Sequence, residues 1–367
     1  MGIVLAPSLV AMASGPARDP EGGGMTPTPW LSVIVPAYSA AELLPDSLGA
    51  LRAATPPPGG LELIVVDDGS ADGTAEAAAT YADQVIRLAA PSGGPSRARN
   101  AGAAMSRGEW LLFVDADVRV HGDTLHRFYE SVERHPNASA IFGAYDASPA
   151  APGLVSQYRN LLHRYYHLRG AGPAETFWAG LGGVRADAFK GVSGFDAERH
   201  PRQLEDIELG YRLRQSGAHL ILDPTIEGTH LKAWDFRLMA ITDFRDRGLT
   251  WMRLMLDRGR SPRASLNLAG REQLRVLLAG GIAVTILLAG VAGSDALAAV
   301  AAGLAAVLVG SNLGVYRWFA RQKGWRFALA VVPLHFWYYL SNAAAAFVGL
   351  LAYARRRLVT LPGPSHA

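Results

Sequence analysis

The sequence contains no cysteine. Disulfides, thiolate nucleophiles and cysteine-ligated metals are therefore excluded outright. A reducing compartment is compatible with that absence. Charge is scarce too: 18% of residues are charged and the formal net charge is +3, although the pI is about 9.2. So even a balance gives no electrostatic footprint for nucleic acid, and no RNA- or DNA-binding motif is present. What the chain has instead is apolar material. Half of its 367 residues are hydrophobic, enough for one large domain or two smaller ones.

The most informative stretch is Trp110 to Val118, W-L-L-F-V-D-A-D-V. Five apolar residues in a row suit a strand buried on both faces of a parallel sheet. Two carboxylates follow where that strand ends. At a period of two, Asp115 and Asp117 point the same way. Like charges on one side repel unless something positive lies near them. A divalent cation, Mg²⁺ or Mn²⁺, is the economical candidate, because it takes oxygen ligands and accepts substrate phosphates as part of its shell. The alternative is a pair of solvated turn aspartates.

Around this stretch, apolar runs and helical patterns alternate. Strands are expected at Leu31–Val35, Leu61–Val66, Val85–Leu88, Ser139–Phe142 and Leu220–Leu222. Helices are expected from Ala40 to Ala53, from an Asp72 cap to Tyr81, through Arg97, Arg99 and Asn100, over Asp123–Arg134 and Leu154–Arg169, and from Glu205 to Ser216. Alternation of this kind predicts an α/β sheet with right-handed crossovers. Ligands of such sheets bind beyond the carboxyl ends of the strands, where Asp67, Asp68, Asp115 and Asp117 all fall. The helix Leu154–Arg169 is aromatic and basic. It either packs into a core with a solvated basic face or meets a phosphate-bearing or membrane-associated acceptor. Phe177–Gly183 reads as a flexible aromatic loop. Trp178 there either stacks on a sugar or packs, and glycines such as Gly180 permit close approach of backbone to ligand. Glu205 and Asp206 open a helix, where the dipole favours them.

Five segments together resemble family 2 glycosyltransferases of the GT-A fold. They are V-I-V-P-A-Y at 33–38, V-V-D-D-G-S-A-D-G-T at 65–74, S-R-A-R-N-A-G at 96–102, F-V-D-A-D at 113–117 and E-D-I-E-L at 205–209. The resemblance covers about Leu31 to His230. It implies that Pro36, Tyr38, Asp67 and Asp68 hold the base and ribose of a nucleotide. Arg97, Arg99 and Asn100 would face the nucleotide or its phosphates. Asp115 and Asp117 would anchor ribose and a Mn²⁺ or Mg²⁺ ion, with His230 a further metal or phosphate ligand. Asp206, with Glu205 as second choice, would be the general base in one inverting displacement. Ser39 departs from the pattern, since many relatives have Asn after the tyrosine. The Q-x-x-R-W signature of processive polysaccharide synthases is absent, which favours transfer of a single sugar.

The C-terminal third changes character. Trp234–Leu256 alternates aromatic and apolar residues with Arg and Asp. It is expected as amphipathic helices in a membrane interface or as a helix packed on the soluble domain. Runs at 274–294, 296–316 and 327–353 are long enough to cross a bilayer. Arg258, Arg260, Arg263 and Arg271 before the first, and Arg317, Arg321, Lys323 and Arg326 after the second, put the catalytic domain on the cytoplasmic side. The third run is either one span or a re-entrant hairpin breaking near Ser341-Asn342. The expected organisation is thus a disordered leader over 1–29 and a GT-A domain over 30–233. Interfacial helices over 234–270, a membrane region over 271–357 and a tail over 358–367 follow. Met1–Ser14 lacks the basic start of a signal peptide, and Met25 is a second candidate first residue. The functional expectation is a membrane-bound, metal-dependent inverting glycosyltransferase of the cytoplasmic membrane. Its partners are a nucleotide-sugar donor and a lipid-linked or glycan acceptor, with no nucleic acid. A processive polysaccharide synthase, a catalytically silent nucleotide-binding subunit of a cell-envelope assembly and a nucleotidyltransferase are the alternatives. Nothing in the sequence selects the sugar, the base, the acceptor or the oligomeric state.

Overall fold

A computed structural model describes residues 12–13, 28–200, 202–258 and 270–360. Most of the leader expected over 1–29 and most of the tail expected over 358–367 lie outside the described residues. The chain divides into two compact units, Met1–Ala150 with His167–Lys232, and Ala151–Tyr166 with Ala233–Ala367.

The first unit carries β1 (Met12–Ala13), β2 (Leu31–Ala37), α1 (Leu44–Ala53), β3 (Leu61–Asp67), α2 (Thr74–Ala79), β4 (Gln84–Arg87), α3 (Pro95–Met105) and β5 (Trp110–Val114). There follow β6 (Val118–Val120), α4 (Thr124–Arg134), β7 (Ala138–Tyr145), α5 (Leu154–Arg169, shared with the second unit) and β8 (Gly172–Ala174). The unit ends with β9 (Leu181–Arg185), α6 (Ala186–Gly191), α7 (Glu205–Gln215) and β10 (His219–His230). One mixed sheet runs β1-β4-β3-β2-β5-β9-β7-β10-β6, with β8 on β10. β4, β3, β2 and β5 are parallel, and Leu31 of β2 registers with both Leu61 and Trp110. Their apolar residues are almost wholly buried on both faces, as continuous Val, Ile and Leu runs require. Equal register brings their carboxyl ends level, which is what gathers the acidic residues. β9 then runs antiparallel between β5 and β7, and β6 closes antiparallel on β10.

Two expectations are corrected here. Phe177–Gly183 is not a flexible loop throughout, because Leu181 to Gly183 belong to buried β9 at the centre of the sheet. A Cβ on Gly183 would meet the Phe128 ring at 2.2 Å, so glycine here serves packing. The strand expected over Leu220–Leu222 extends from His219 to His230. Asp223-Pro224 looks like a turn, yet it forms an irregularity inside the strand, with the register on β7 shifting between Leu222 and Glu227.

The second unit is helical. It contains α8 (Phe236–Ile241), a π-helical turn (Thr242–Leu249), α9 (Thr250–Arg258), α10 (Gly270–Ala292), α11 (Asp295–Ser311), α12 (Leu313–Lys323), α13 (Trp325–Ala330) and α14 (Val332–Thr360). Tyr158, Leu161 and Leu162 of α5 lie in a core with Met239, Val315, Phe319 and Val331. Arg159 is buried as well, at 2.6 Å from Asp243 and over the Trp234 ring, so the face of α5 expected to be solvated is partly internal. The expected interfacial stretch packs on α14: a Cβ on Gly248 would stand 2.6 Å from that of Ala345.

Among the described residues, one helix, α10, is long and apolar enough to cross a membrane. Leu274, Leu277, Leu287 and Val291 on it are largely exposed, and 11% of its apolar stretch is buried. A second crossing would require α11 and α12 together, bent by 60° at Asn312. The expected 327–353 run is divided at Val331. α14 then continues unbroken through Ser341-Asn342, whose side chains donate back to the Tyr338 carbonyl at 3.1 and 2.6 Å, so there is no re-entrant break there. Pro333 stands in the first turn of α14, where a missing N–H costs nothing.

Candidate functional site

β5 ends at Val114, and Asp115 and Asp117 flank a turn closed by the Val118 N–H on the Asp115 carbonyl, 2.9 Å. The turn sends the two carboxylates to different partners. Asp115 Oδ1 accepts from Arg99 Nη2 at 2.7 Å. Asp117 Oδ2 stands 3.4 Å from His230 Nε2. That second meeting follows from strand pairing, because His230, the last residue of β10, registers with Val118 of antiparallel β6. The positive group that two neighbouring carboxylates demand is therefore partly supplied by the protein. Burial raises the Asp115 carboxyl, Arg99 opposes that, and the neighbouring Asp117 adds to the rise. Burial also works against Asp117, but its bond to His230 and the positive charges of His230 and Lys232 outweigh it and hold that carboxyl low.

Arg99 is 3% exposed and does not stop at Asp115. Its Nη1 donates to Glu205 Oε1 at 2.8 Å, and its guanidinium lies 5.4 Å from the centre of the Phe195 ring. Desolvation disfavours its charge, but Asp115 and Glu205 more than compensate and raise its pKa. Asp206, the next residue on α7, takes the Ile207 N–H at 2.8 Å and the Ala179 N–H at 3.3 Å. Gly210, one turn along α7, allows the approach: a Cβ there would meet the Phe177 backbone nitrogen at 2.4 Å. Burial, then the Glu205 charge, push the Asp206 carboxyl up to about 7 against the opposing pull of Arg99. The two adjacent acids thus differ: Glu205 is buried against a cation, and Asp206 is half-buried with a carboxyl poised near neutrality.

The nucleotide candidates surround the same strand ends. Tyr38, directly after β2, is 54% exposed, and Pro36 is half-buried within β2. Asp67 is buried, accepting from the Ser70 N–H at 2.9 Å and from Arg87 Nε at 3.2 Å. Asp68 is buried too and gathers the loop after β4, accepting from Ser92 Oγ and from the Gly93 and Gly94 N–H groups. Arg97 donates to the Ala89 carbonyl at 3.3 Å. Asn100 clamps Phe195 with both ends of its amide, donating to the carbonyl at 2.8 Å and accepting from the N–H at 2.9 Å. Asp68 and Asn100 thus have structural tasks that motif spacing does not reveal.

Trp178 and Gly180 lie beside Asp115, whose N–H donates to the Gly180 carbonyl at 3.0 Å. The Trp178 ring covers Gly180 so closely that a Cβ would stand 2.5 Å from it. Trp178 meets Tyr145 edge-on at 4.8 Å and His167 at 5.2 Å, and Tyr145 stacks on His230 at 4.4 Å and 13°. Burial lowers His167 to about 4, so it is neutral at pH 7. Its Nδ1 carries the proton, because the Gly143 carbonyl 2.9 Å away can only accept. Sequence reasoning missed Tyr145 by ending that strand at Phe142. The apolar residues Ala144 and Tyr145, continuing the run beyond Gly143, were the available signal.

Comparison with known proteins accords with this geometry. Residues 32–192 match the family model described as Glycosyl transferase family 2. A solved structure, the mannosyltransferase PcManGT from Pyrobaculum calidifontis in complex with GDP-Man and Mn²⁺, superposes with a TM-score of 0.60 at 20% identity, covering 90% of this chain and 91% of that one. Glycosyltransferase AglE of Haloferax volcanii is 39% identical over 108 residues, 28% of this chain and 36% of the relative. Poly(ribitol-phosphate) beta-glucosyltransferase of Bacillus spizizenii is 33% identical over 104 residues, 27% of this chain and 16% of the relative. The matches therefore span little more than a third of these curated relatives at most. The α/β unit has the GT-A fold. The segment that matches the glycosyl transferase family 2 model, residues 32–192, lies within it.

Proposed function

We propose that the chain is an inverting glycosyltransferase that moves one sugar from a nucleoside-diphosphate donor to a hydroxyl of a lipid-linked or membrane-embedded acceptor. The observation that carries this reading is the convergence of Asp115, the Asp117–His230 pair and Asp206 at one end of the sheet. Tyr38, Asp67 and Asp115 would take the base and ribose. Among the described residues no cluster of three or more metal-ligating side chains occurs. Asp117 and His230 nonetheless offer one oxygen and one nitrogen donor 3.4 Å apart. That suits a Mn²⁺ or Mg²⁺ ion whose remaining ligands are phosphate oxygens and water. Such an ion, when bound, offsets charge developing on the departing diphosphate.

Asp206 is the general base in this reading. Its deprotonated Oδ takes the proton of the acceptor hydroxyl as the hydroxyl oxygen attacks the anomeric carbon. The bond to the diphosphate oxygen breaks in line, and one displacement inverts the anomeric configuration. The titration range of Asp206, near 7, matches that task. Trp178 and Gly180 would border the acceptor. The exposed apolar face of α10 supports anchoring in a membrane. Arg271 at its start and the arginines before it would hold the catalytic unit on the cytoplasmic face.

The test is a panel of nucleoside diphosphates and their sugars offered to detergent-purified protein, with and without Mn²⁺ or Mg²⁺, followed by membrane lipid extract. Metal-dependent binding of one nucleotide, lost in Asp117→Ala, and sugar label entering the organic phase are expected. Binding without transfer in any extract would instead identify a silent nucleotide-binding subunit.

A further inference from the structure

The hydrogen bonds around Asp115 and Asp206 close into a ring. Arg99 joins Asp115 at 2.7 Å to Glu205 at 2.8 Å. Glu205 is followed by Asp206, whose Oδ2 accepts from the Ala179 N–H at 3.3 Å. Ala179 is followed by Gly180, whose carbonyl accepts from the Asp115 N–H at 3.0 Å. One route between the two aspartates runs through charged side chains and the other through backbone. Arg99 is fixed within the ring: it is buried, its fork is divided between two carboxylates, and its flat face lies over Phe195. Phe195 is itself held by both amide ends of Asn100, the residue after Arg99.

Resting on the reading of Asp206 as base, we infer that Arg99 and Glu205 are positioning residues: the divided guanidinium fork sets how α7 presents Asp206 and ties that presentation to Asp115 on the nucleotide side. Glu205 is a strut, and the choice between the two adjacent acids falls on Asp206. The charged groups that face Asp206 are Glu205 from its own helix and Arg99 from α3. They act in opposite senses, since a negative neighbour resists ionisation of a carboxyl and a positive one favours it. Removing each must shift the Asp206 midpoint in opposite directions. A general loosening of the fold would not do that.

The test uses the full chain in detergent. The Asp206 midpoint is followed by pH-difference infrared spectroscopy, with the carboxyl band identified by its loss in Asp206→Asn. Glu205→Gln keeps an oxygen acceptor for Arg99 and should lower the midpoint. Arg99→Gln should raise it, each by roughly one pH unit. With the nucleotide sugar identified by the panel, kcat should fall about tenfold or more in both, with donor KM moving less than about threefold. Arg99→Lys keeps the charge but loses the fork, so its midpoint should stay near that of the parent while kcat falls. Should Arg99→Gln fail to fold, Glu205→Gln and Arg99→Lys decide the matter. An unchanged midpoint and kcat in Glu205→Gln, or shifts of the same sign in the two glutamine variants, would overturn the inference. Full turnover in Asp206→Asn would instead remove the base assignment, a separate failure read without reference to the infrared midpoints of the other variants.

Discussion

Asp117 and His230 stand 3.4 Å apart, carboxylate oxygen to Nε2, because β6 and β10 pair antiparallel and end side by side. His230 is held from behind by the Tyr145 ring stacked on it. A rigid pair of donors of this kind needs both members. Asp117→Asn and His230→Gln should each weaken Mn²⁺-dependent binding of the cognate nucleoside diphosphate on the order of 10–100-fold. Binding in the presence of EDTA should hardly change. Calorimetric titration with and without metal makes the distinction, and equal losses in both conditions would count against a metal at this pair.

The raised carboxyl of Asp206 fixes the sign of the pH response. A base works deprotonated, so kcat should be lost as pH falls through about 7 and level off above it. Asp206→Asn should leave a flat residual rate. Stability runs the other way. The same carboxyl in the unfolded chain titrates near ~3.9. Between the two values the folded state holds the proton and the unfolded state does not, so the contribution of this group falls as pH rises from about 4 to about 7. Asp206→Asn should therefore raise Tm at pH 8, equivalent to roughly 1–2 kcal/mol after allowance for partial exposure, and leave it near that of the parent at pH 4. Melting curves at the two pH values check both signs.

Trp178 lies over Gly180 with no room for a methyl group between them. Gly180→Ala must displace the indole while the Gly180 carbonyl can keep its bond to Asp115. The expected result is an acceptor KM raised by about fivefold or more, with nucleotide binding unchanged. Trp178→Phe should give a smaller effect of the same kind. Loss of nucleotide binding in Gly180→Ala would mean that the Asp115 turn, and not the acceptor side, depends on this contact.

The parallel half of the sheet was legible because its strands are continuous apolar runs that end in acids, and the pattern needs no long-range partner to be read. Leu31–Ala37, Leu61–Asp67 and Trp110–Val114 fall within two residues of expectation. The antiparallel half was less legible. Leu181–Arg185 contains a Gly-Gly pair that the Trp178 carbonyl and the Phe177 and Phe128 rings explain, and His219–His230 contains an Asp-Pro that imitates a turn. The motifs named the acidic residues of the site but not their division of labour. The resemblance has Arg99 face the nucleotide or its phosphates, and only the fold brings Glu205, 106 positions away, onto its second nitrogen. In the helical unit, hydropathy exposed α10 clearly, but it was blind to the bend at Asn312 and to the split at Val331.

Ser39 holds φ at 49°, in the left-handed region. Asn tolerates that conformation better than other non-glycine residues. The turn is fixed by the loop after β3. The N–H groups of Ser39, Ala40 and Ala41 donate in succession to Ser70 Oγ at 2.9 Å, Thr74 Oγ1 at 2.9 Å and Asp72 Oδ2 at 3.2 Å. The S-A-D-G-T run is thus a row of alternate acceptors, and the turn it holds carries exposed Tyr38 at the carboxyl end of β2. Ser39→Asn should stabilise by about 0.5 kcal/mol and leave nucleotide binding intact, whereas Ser39→Ile should cost about 1–2 kcal/mol. Thr74 is fully buried, so Thr74→Val leaves the Ala40 N–H without a partner. The expected cost is about 1–3 kcal/mol, with nucleoside-diphosphate binding weakened as the turn loosens. Denaturant unfolding and nucleotide titration of the three variants check this. Weaker binding in Thr74→Val with unchanged binding in Ser39→Asn supports a turn that positions Tyr38. Unchanged binding in Thr74→Val would leave the turn a purely structural joint.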